Sequence, residues 1–213
     1  MNHRITLYFE SESVLGEEQA GFREGYSTMD HAFVLKSLLD IYLSKGRRIY
    51  CAFVDFRKAF DMIDRASLWY KLLLSGVNGK VFRAIKNMYA SAKSCVTTCG
   101  QTSETFACNI GVRQGDNLSP LLFAIYLNDF VGYIRTKFKG LQYLYDEVCS
   151  DVLDKITDED LFINLHSLLY ADDTIILAEN PEELQMALDA LSNYCEKWKL
   201  RVNNEKNKDN DIL

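Results

Sequence analysis

The chain has 213 residues, of which 48% are hydrophobic and 25% charged, and this describes an ordinary globular protein large enough to bury a substantial core. Its net charge of −6 argues mildly against a nucleic-acid-binding protein, but seven acids lie within residues 146–161, so the overall charge does not exclude a local basic groove. No apolar run is long enough to span a bilayer, the first residues lack the apolar core of a signal peptide, and the six cysteines complete no zinc-binding pattern, so we expect an intracellular protein that has no membrane partner.

Four helices are predicted from apolar periodicity and from their end signals. Ser27 and Asp30 form a capping box before the first of them. Ser119 and Asn180 are predicted N-caps, each followed by a proline at the first helical position. In chain order, the helices are expected over residues 29–44, over residues 80–92, from Pro120 and from Pro181.

Strands are fewer, and we take them in the same order. Residues 48–56 are nearly all apolar, which predicts a central strand covered on both faces. Residues 94–111 predict a hairpin with Gly100 near its turn, and residues 167–178 predict two short strands with Asp172 and Asp173 at the bend. A last short strand is expected at residues 199–203. Helices mixed with antiparallel hairpins indicate the α+β class rather than a doubly wound parallel sheet.

Three aspartates stand at the ends of these apolar strands. Asp55 ends the first strand, where it shares a face with Cys51 and Phe53, and Asp172 is expected to share a face with Tyr170. Laid side by side, the strands would bring Asp55, Asp172 and Asp173 together at one end of the sheet. Carboxylates that close repel one another unless a cation neutralises them, and magnesium accepts a few carboxylates together with substrate phosphates.

Each of these aspartates also has an ordinary structural interpretation. Asp55 could cap a helix that begins in residues 55–61, and Asp172 with Asp173 could form an Asx turn in a hairpin. The residues alone therefore leave a metal site and a structural role at about even weight.

Three segments in order settle the family: "FVDFRKAFD" at residues 53–61, "GVRQGDNLSPLLFAIYLND" at residues 111–129, and "LLYADDTI" at residues 168–175. They resemble core motifs of reverse transcriptases, and the YADD box lies in the third. Residues 17–33 and 195–206 resemble the segments before and after these motifs. The whole pattern is similar to the non-LTR, LINE-type retrotransposon polymerases.

The resemblance implies a right-hand polymerase palm, an antiparallel sheet with packed helices, together with partial fingers. It implies that residues 1–46 and 63–114 are mainly fingers and that residues 47–62 and 115–208 are mainly palm, within one reverse transcriptase-like domain over residues 1–213. The implied activity is RNA-directed DNA polymerisation, a nucleotidyl transfer to a primer 3′-hydroxyl. The implied partners are an RNA template, a DNA primer and a dNTP, and the location is the cytoplasm or the nucleus.

The resemblance also assigns roles to particular residues. Asp55, Asp172 and Asp173 match the catalytic carboxylates that hold two Mg²⁺ ions, with Mn²⁺ as the alternative ion. The remaining implied substrate contacts are Phe56, Phe60, Arg113, Gln114, Gly115 and Lys206. Phe60 matches an aromatic gate that sterically excludes the ribose 2′-hydroxyl, with core packing as its alternative role.

The other matched residues have alternatives too. Gln114 and Gly115 match a turn beside the incoming nucleotide, with Arg113 near its phosphates, but this loop could simply cap the following helix. Lys206 could be a solvated lysine, and Arg23, expected on the template path, could be an ordinary surface charge.

The resemblance fails at both ends of the chain. The first fingers motif of the family has no counterpart, and too few residues follow position 206 for a thumb. A second hypothesis is therefore a truncated retroelement product that keeps the palm and binds metal, nucleotide or a partner without polymerising. A metal nuclease is disfavoured, because no histidine base lies in the motifs. Apolar surface left without a thumb also predicts self-association.

Overall fold

The computed structural model describes residues 2–144 and 162–203. Helices and antiparallel strands are mixed along the chain, as the α+β prediction required. The elements are α1 (Asn2–Ser11), α2 (Thr28–Ser44), β1 (Tyr50–Asp55), α3 (Arg65–Leu74), α4 (Gly79–Ala90), β2 (Lys93–Ser94), β3 (Thr97–Thr98), β4 (Gln101–Thr102), β5 (Phe106–Ala107), α5 (Ser119–Arg135), β6 (Leu141–Leu144), β7 (Phe162–Leu165), β8 (Ser167–Tyr170), β9 (Asp173–Ala178) and α6 (Pro181–Trp198).

The main sheet has three antiparallel strands in the order β1-β9-β8. The prediction that residues 48–56 form a central strand is wrong, because β9 lies in the centre and β1 lies at one edge. The apolar run of β1 misled the prediction, since its residues are mostly half-buried and only Val54 is fully buried. The predicted hairpin at residues 94–111 is confirmed as two nested ladders, β2 with β5 and β3 with β4.

The helix predictions hold with small shifts. Asn180 caps α6 by accepting a 2.8 Å hydrogen bond from the backbone N–H of Glu183, and Asp30 accepts one of 2.7 Å from the Ser27 N–H before α2. Helix α5 begins at Ser119 itself, one residue earlier than predicted, so Leu118 is its N-cap. The sequence analysis missed α1 and α3.

Helix α5 forms the centre of the core. Its buried side chains pack with those of α3 and α6, and the apolar residues of β1 and β9 join the same cluster. This core covers one face of the sheet and fixes where the strands end. Within the described part of the chain, no helix is long and apolar enough to cross a membrane.

Candidate active site

Two of the predicted carboxylates face each other across the sheet. Asp55 is the last residue of β1 and Asp173 the first of β9, and the two are register partners in the antiparallel ladder. Partners in an antiparallel pair project from the same face of a sheet, with their Cβ atoms about 5 Å apart. Asp173 is exposed and Asp55 half-buried, so the pair lies where the sheet meets solvent.

The turn between β8 and β9 places the third carboxylate. Tyr170 pairs with Asp173, so Ala171 and Asp172 form a two-residue connection, with Ala171 in the left-handed region at φ 59°. The expectation that Asp172 shares the face of Tyr170 is therefore corrected, because Asp173 takes that position and Asp172 lies in the turn. A pair predicted at the bend is thus divided between the turn and the strand.

A cleft of about 380 Å³ opens at this end of the sheet. It brings together Asp55 and Asp172 with three of the predicted substrate contacts, Phe56, Phe60 and Gln114. Its lining residues are Asp55, Phe56, Arg57, Lys58, Ala59, Phe60, Gln114, Asp172 and Asn203.

Asn203 holds Asp55 in place, and the sequence analysis missed it. Its side-chain amide donates to the Asp55 carboxylate at 2.8 Å, and its backbone N–H donates to the Asp55 carbonyl at 2.8 Å. Val202 forms an isolated bridge with Phe56, which partly confirms the predicted last strand. The one available signal was that short segment, but nothing in it indicated a partner so far away in the chain.

The Ala171 turn is supported by Gln19, whose role could not be read from residues 17–33 although that segment resembles the family. The Gln19 side-chain oxygen accepts hydrogen bonds from the backbone N–H of Gly21, at 2.9 Å, and of Ala171, at 3.2 Å. A Cβ on Gly21 would lie 2.2 Å from the Ala171 nitrogen, so only glycine fits against the turn. The buried Gln19 therefore fixes the turn that carries Asp172.

The two phenylalanines of the first motif differ. Phe60 is half-buried and lines the cleft, and its ring stacks on Phe123, with 5.0 Å between ring centroids, and meets Phe22 edge-on at 6.2 Å. Phe56 is 2% exposed and belongs to the core. The ring of Phe56 therefore packs inside, and its route to a substrate is the backbone.

The second motif divides in a similar way. Gln114 lines the cleft, where its side-chain amide donates to Asp61 at 2.8 Å. Arg113 instead donates to the Met88 carbonyl at the end of α4, at 2.7 Å. Gly115 is exposed, and an added Cβ would meet no atom within 4 Å, so lack of space does not require a glycine here. Its φ of +83° does, because side chains disfavour that backbone conformation.

Two other predicted residues lie elsewhere. Arg23 is 9% exposed and pairs with Glu10 at 2.8 Å, so it is an interior residue and not a surface charge, and this ion pair raises the pKa of its guanidinium. Lys206 lies outside the described residues.

The aspartates carry the hard oxygen ligands that magnesium prefers, and Asp55 and Asp172 open into the same cleft. Within residues 2–144 and 162–203, however, no three His, Cys, Asp or Glu side chains are close enough to form a metal cluster by themselves. The donor chemistry therefore fits a divalent cation that also takes ligands from a substrate.

Comparisons with known proteins agree with these motifs. A profile of the family described as reverse transcriptase (RNA-dependent DNA polymerase) matches residues 1–209. The chain is 28% identical over 188 residues to the Pol polyprotein of the type-2 retrotransposable element R2DM from Drosophila melanogaster, covering 88% of this chain and 16% of that protein. It is 25% identical over 207 residues to the RNA-directed DNA polymerase from mobile element jockey of Drosophila funebris, covering 94% and 20%.

Among solved structures, apo telomerase from Candida tropicalis matches with a TM-score of 0.65 at 18% identity, over 96% of this chain and 39% of that one. This likeness confirms the palm fold. The chain spans about a fifth or less of the length of the two curated relatives named above. The predicted resemblance is confirmed: the chain belongs to the reverse transcriptase family, and its relatives are non-LTR retrotransposon proteins.

Proposed function

We propose that this chain is the core of an RNA-directed DNA polymerase, which adds a dNTP to the 3′-hydroxyl of a DNA primer paired with an RNA template. The observation that carries the proposal is the pairing of Asp55 with Asp173 at the sheet end, with Asp172 on the adjoining turn and opening into the cleft. These acids lie at the solvent-facing end of the sheet and outside the hydrophobic core, so a role in chemistry accounts for them best.

In the proposed reaction, the primer 3′-hydroxyl releases its proton to solvent as its oxygen attacks the α-phosphorus. The bond from the α-phosphorus to the oxygen that bridges to the β-phosphate breaks, and pyrophosphate leaves with that electron pair. Asp55, Asp172 and Asp173 would hold two magnesium ions, with manganese as the alternative. When bound, such ions clamp the attacking and leaving oxygens of an in-line transfer and offset the phosphate charge. Asn203 holds the carboxylate of Asp55 in one orientation, and Gln19 fixes the turn of Asp172.

The walls of the cleft suit a deoxynucleotide. Phe60 is wedged between Phe22 and Phe123, so its ring has little freedom to move aside for a 2′-hydroxyl. Gln114, held by Asp61, lies across the same cleft and is placed to contact the nucleotide. We propose the cytoplasm or nucleus as its location, where template and primer are found.

Self-association remains a prediction. Several apolar side chains of α2 are exposed, among them Met29, Phe33 and Leu43, at 74%, 72% and 66% of their surface. An apolar strip of this kind favours contact with another protein surface. Light scattering tests it directly, and a monodisperse monomer contradicts it.

Primer extension tests the polymerase proposal. The chain is given a primed homopolymer RNA, the complementary dNTP and magnesium, beside the variant Asp172→Asn/Asp173→Asn. The matched control is Asp40→Asn/Asp189→Asn, which removes the same charge at exposed positions of α2 and α6. We expect extension by the wild type and the control and none by the active-site variant.

A folded wild type that does not extend the primer contradicts polymerisation by this chain alone. Magnesium or dNTP binding measured on the same sample then supports the second hypothesis, a palm that binds without polymerising. Extension that survives in the active-site variant rules out the assigned acids.

A further inference from the structure

Helix α4 and its flanks have a charge pattern that the proposed active site does not use. Between Asp64 and Glu104 the chain contains no acidic residue and six lysines or arginines, although the whole protein has a net charge of −6. Three of these cations, Lys80, Arg83 and Lys86, belong to α4 and are exposed. The acid-free interval therefore presents positive charge on an otherwise acidic protein.

The three cations lie on one face of the helix. At 3.6 residues per turn, positions 80, 83 and 86 fall within about 120° of the helix circumference and about 9 Å of its length. The opposite face is apolar and buried through Ile85 and Tyr89. Within the described part of the chain, no carboxylate forms an ion pair with any of the three, so their charge faces solvent.

A further cation lies near the first of the three, and hydrogen bonds hold the other end of α4 in place. Arg4 of α1 and Lys80 line the same cavity, so a fourth exposed cation continues the face. At the C-terminal end of α4, Arg65 donates to the carbonyls of Tyr89 and Gly111, and Arg113 donates to Met88. The helix is thus held beside the loop that carries Gln114 into the cleft.

We propose that Lys80, Arg83 and Lys86 form a docking face for the phosphate backbone of a nucleic acid, outside the catalytic cleft. A row of exposed cations without acids matches a polyanion, and the rigid attachment of α4 beside the Gln114 loop lets a strand continue from the cleft along the helix. Contacts to phosphates carry no sequence information, so we expect binding through these cations to be independent of sequence. The choice of nucleic acid as the polyanion rests on the proposed function.

Binding is measured by fluorescence anisotropy with a labelled DNA primer annealed to RNA, at salt concentrations from about 50 to about 200 mM. The test variant is Lys80→Gln/Arg83→Gln/Lys86→Gln. The matched control is Lys45→Gln/Arg47→Gln/Arg48→Gln, which removes the same charge near Tyr50, at the end of β1 opposite Asp55. Glutamine is a good helix former, so α4 should persist, and circular dichroism verifies this.

We expect the α4 variant to bind about tenfold more weakly at low salt. The slope of log K against log salt should become shallower by about three, because each of the three lost phosphate contacts removes close to one. The control should change both values much less. Equal losses in the two variants, no loss in either, or no binding by the wild type overturns the proposal. Binding of the face to phosphatidylserine vesicles, with nucleic-acid binding unaffected by the variant, assigns it to membranes and also overturns it.

Primer extension on the same samples separates this proposal from the proposed function. A wild type that binds through α4 but does not extend the primer leaves the docking face standing and removes the polymerase activity. If the wild type extends the primer and the α4 variant binds nucleic acid as well as the wild type does, the polymerase activity stands and the docking face is ruled out.

Discussion

Lys71 and the aspartates of the candidate active site are charged groups set against the same apolar core, but the fold surrounds them differently. Lys71 is 4% exposed, and its ammonium donates to Asp129 at 2.6 Å and to the Tyr194 hydroxyl at 2.8 Å, with the Trp198 ring 3.8 Å away. Burial lowers its pKa to about 8, although Asp129 opposes that shift. The lysine thus has its counter-charge inside the protein.

The aspartates have the opposite arrangement. Asp55 and Asp173 place like charges opposite each other, and Asn203 supplies an amide rather than a positive charge. The carboxylate of Asp55 is therefore held by a neutral amide, in a cleft that is also lined by Asp172, Arg57 and Lys58. The comparison teaches that a charge neutralised inside the core serves stability, whereas like charges held together at a cleft are the arrangement that the proposed function requires.

Asp55→Asn removes one of the like charges at the candidate active site, and it should have the largest effect on activity. We expect primer extension to fall roughly a thousandfold, which corresponds to about 4 kcal/mol of transition-state stabilisation. The free energy of unfolding should change by no more than about 0.5 kcal/mol, because asparagine can still accept the hydrogen bond from Asn203. Extension rates and urea unfolding of the same preparation measure both quantities. A variant that is inactive only because it is unfolded contradicts the distinction.

Lys71→Met removes the buried charge that is neutralised inside the protein. Methionine has a similar volume but cannot donate, so Asp129 keeps its hydrogen bond from the Tyr194 hydroxyl but loses its counter-charge, and we expect a loss of about 3 kcal/mol in the free energy of unfolding. Asp129 is half exposed, so water offsets part of the larger cost that a fully buried carboxylate would carry. Urea denaturation measures the loss. The double variant Lys71→Met/Asp129→Leu should recover stability, and no recovery argues against the ion pair as the cause.

Gly21→Ala tests the support beneath the Asp172 turn. The added Cβ would press on the backbone of Ala171, so we expect a loss of about 2 kcal/mol in stability, with primer extension reduced further than stability alone explains. Gly132→Ala is the matched control, because its Cβ would meet nothing within 4 Å and α5 should gain about 0.5–1 kcal/mol. Thermal unfolding and extension are compared for both. Equal behaviour of the two variants contradicts a specific role for Gly21.

His166 adds a third case to the comparison, a titratable side chain whose charged form is disfavoured by burial in the core. Its substitution should have the smallest effect of the four. The ring is 3% exposed and lies 3.2 Å from the Phe138 carbonyl, and burial lowers its pKa below 6.5. The unfolded chain then binds more protons than the folded protein below pH 6.5, so stability is lost as the pH falls below that value. His166→Gln should lessen this loss in melting temperature. His3→Gln, at an exposed position of α1, is the control, and equal acid sensitivity in all three proteins contradicts the assignment.

The local parts of the fold could be predicted from the sequence, and the long-range parts could not. The caps at Ser27 and Asn180 depend on residues three positions apart, so local chemistry was sufficient. Sheet order depends on which strands pair, and the apolar residues of β1 gave no sign that β9 would take the centre. Helix α3 was missed although Asp64 caps it by accepting from Ser67, because the motif around Asp61 suggested an earlier start.

The candidate site divides in the same manner. Asp55, Asp172 and Asp173 could be named because their motifs resemble a known family. Asn203 and Gln19 could not, since Asn203 acts through two hydrogen bonds to Asp55 and Gln19 through one from Ala171, and neither residue type indicates so distant a partner. The assignment of residues to fingers and palm and the role of Lys206 stay predictions.

The hydrogen bond between Asn203 and Asp55 joins residues 148 positions apart, and the pairing of β1 with β9 joins similarly remote segments. Closing such a long loop carries an entropic cost that must be met before the contacts form, so this ladder is a slow, late event in folding. A chain still being synthesised therefore has its first aspartate long before the other two exist. The cleft is therefore complete only when the last part of the described chain has been made, so the proposed activity would begin only after the core is assembled.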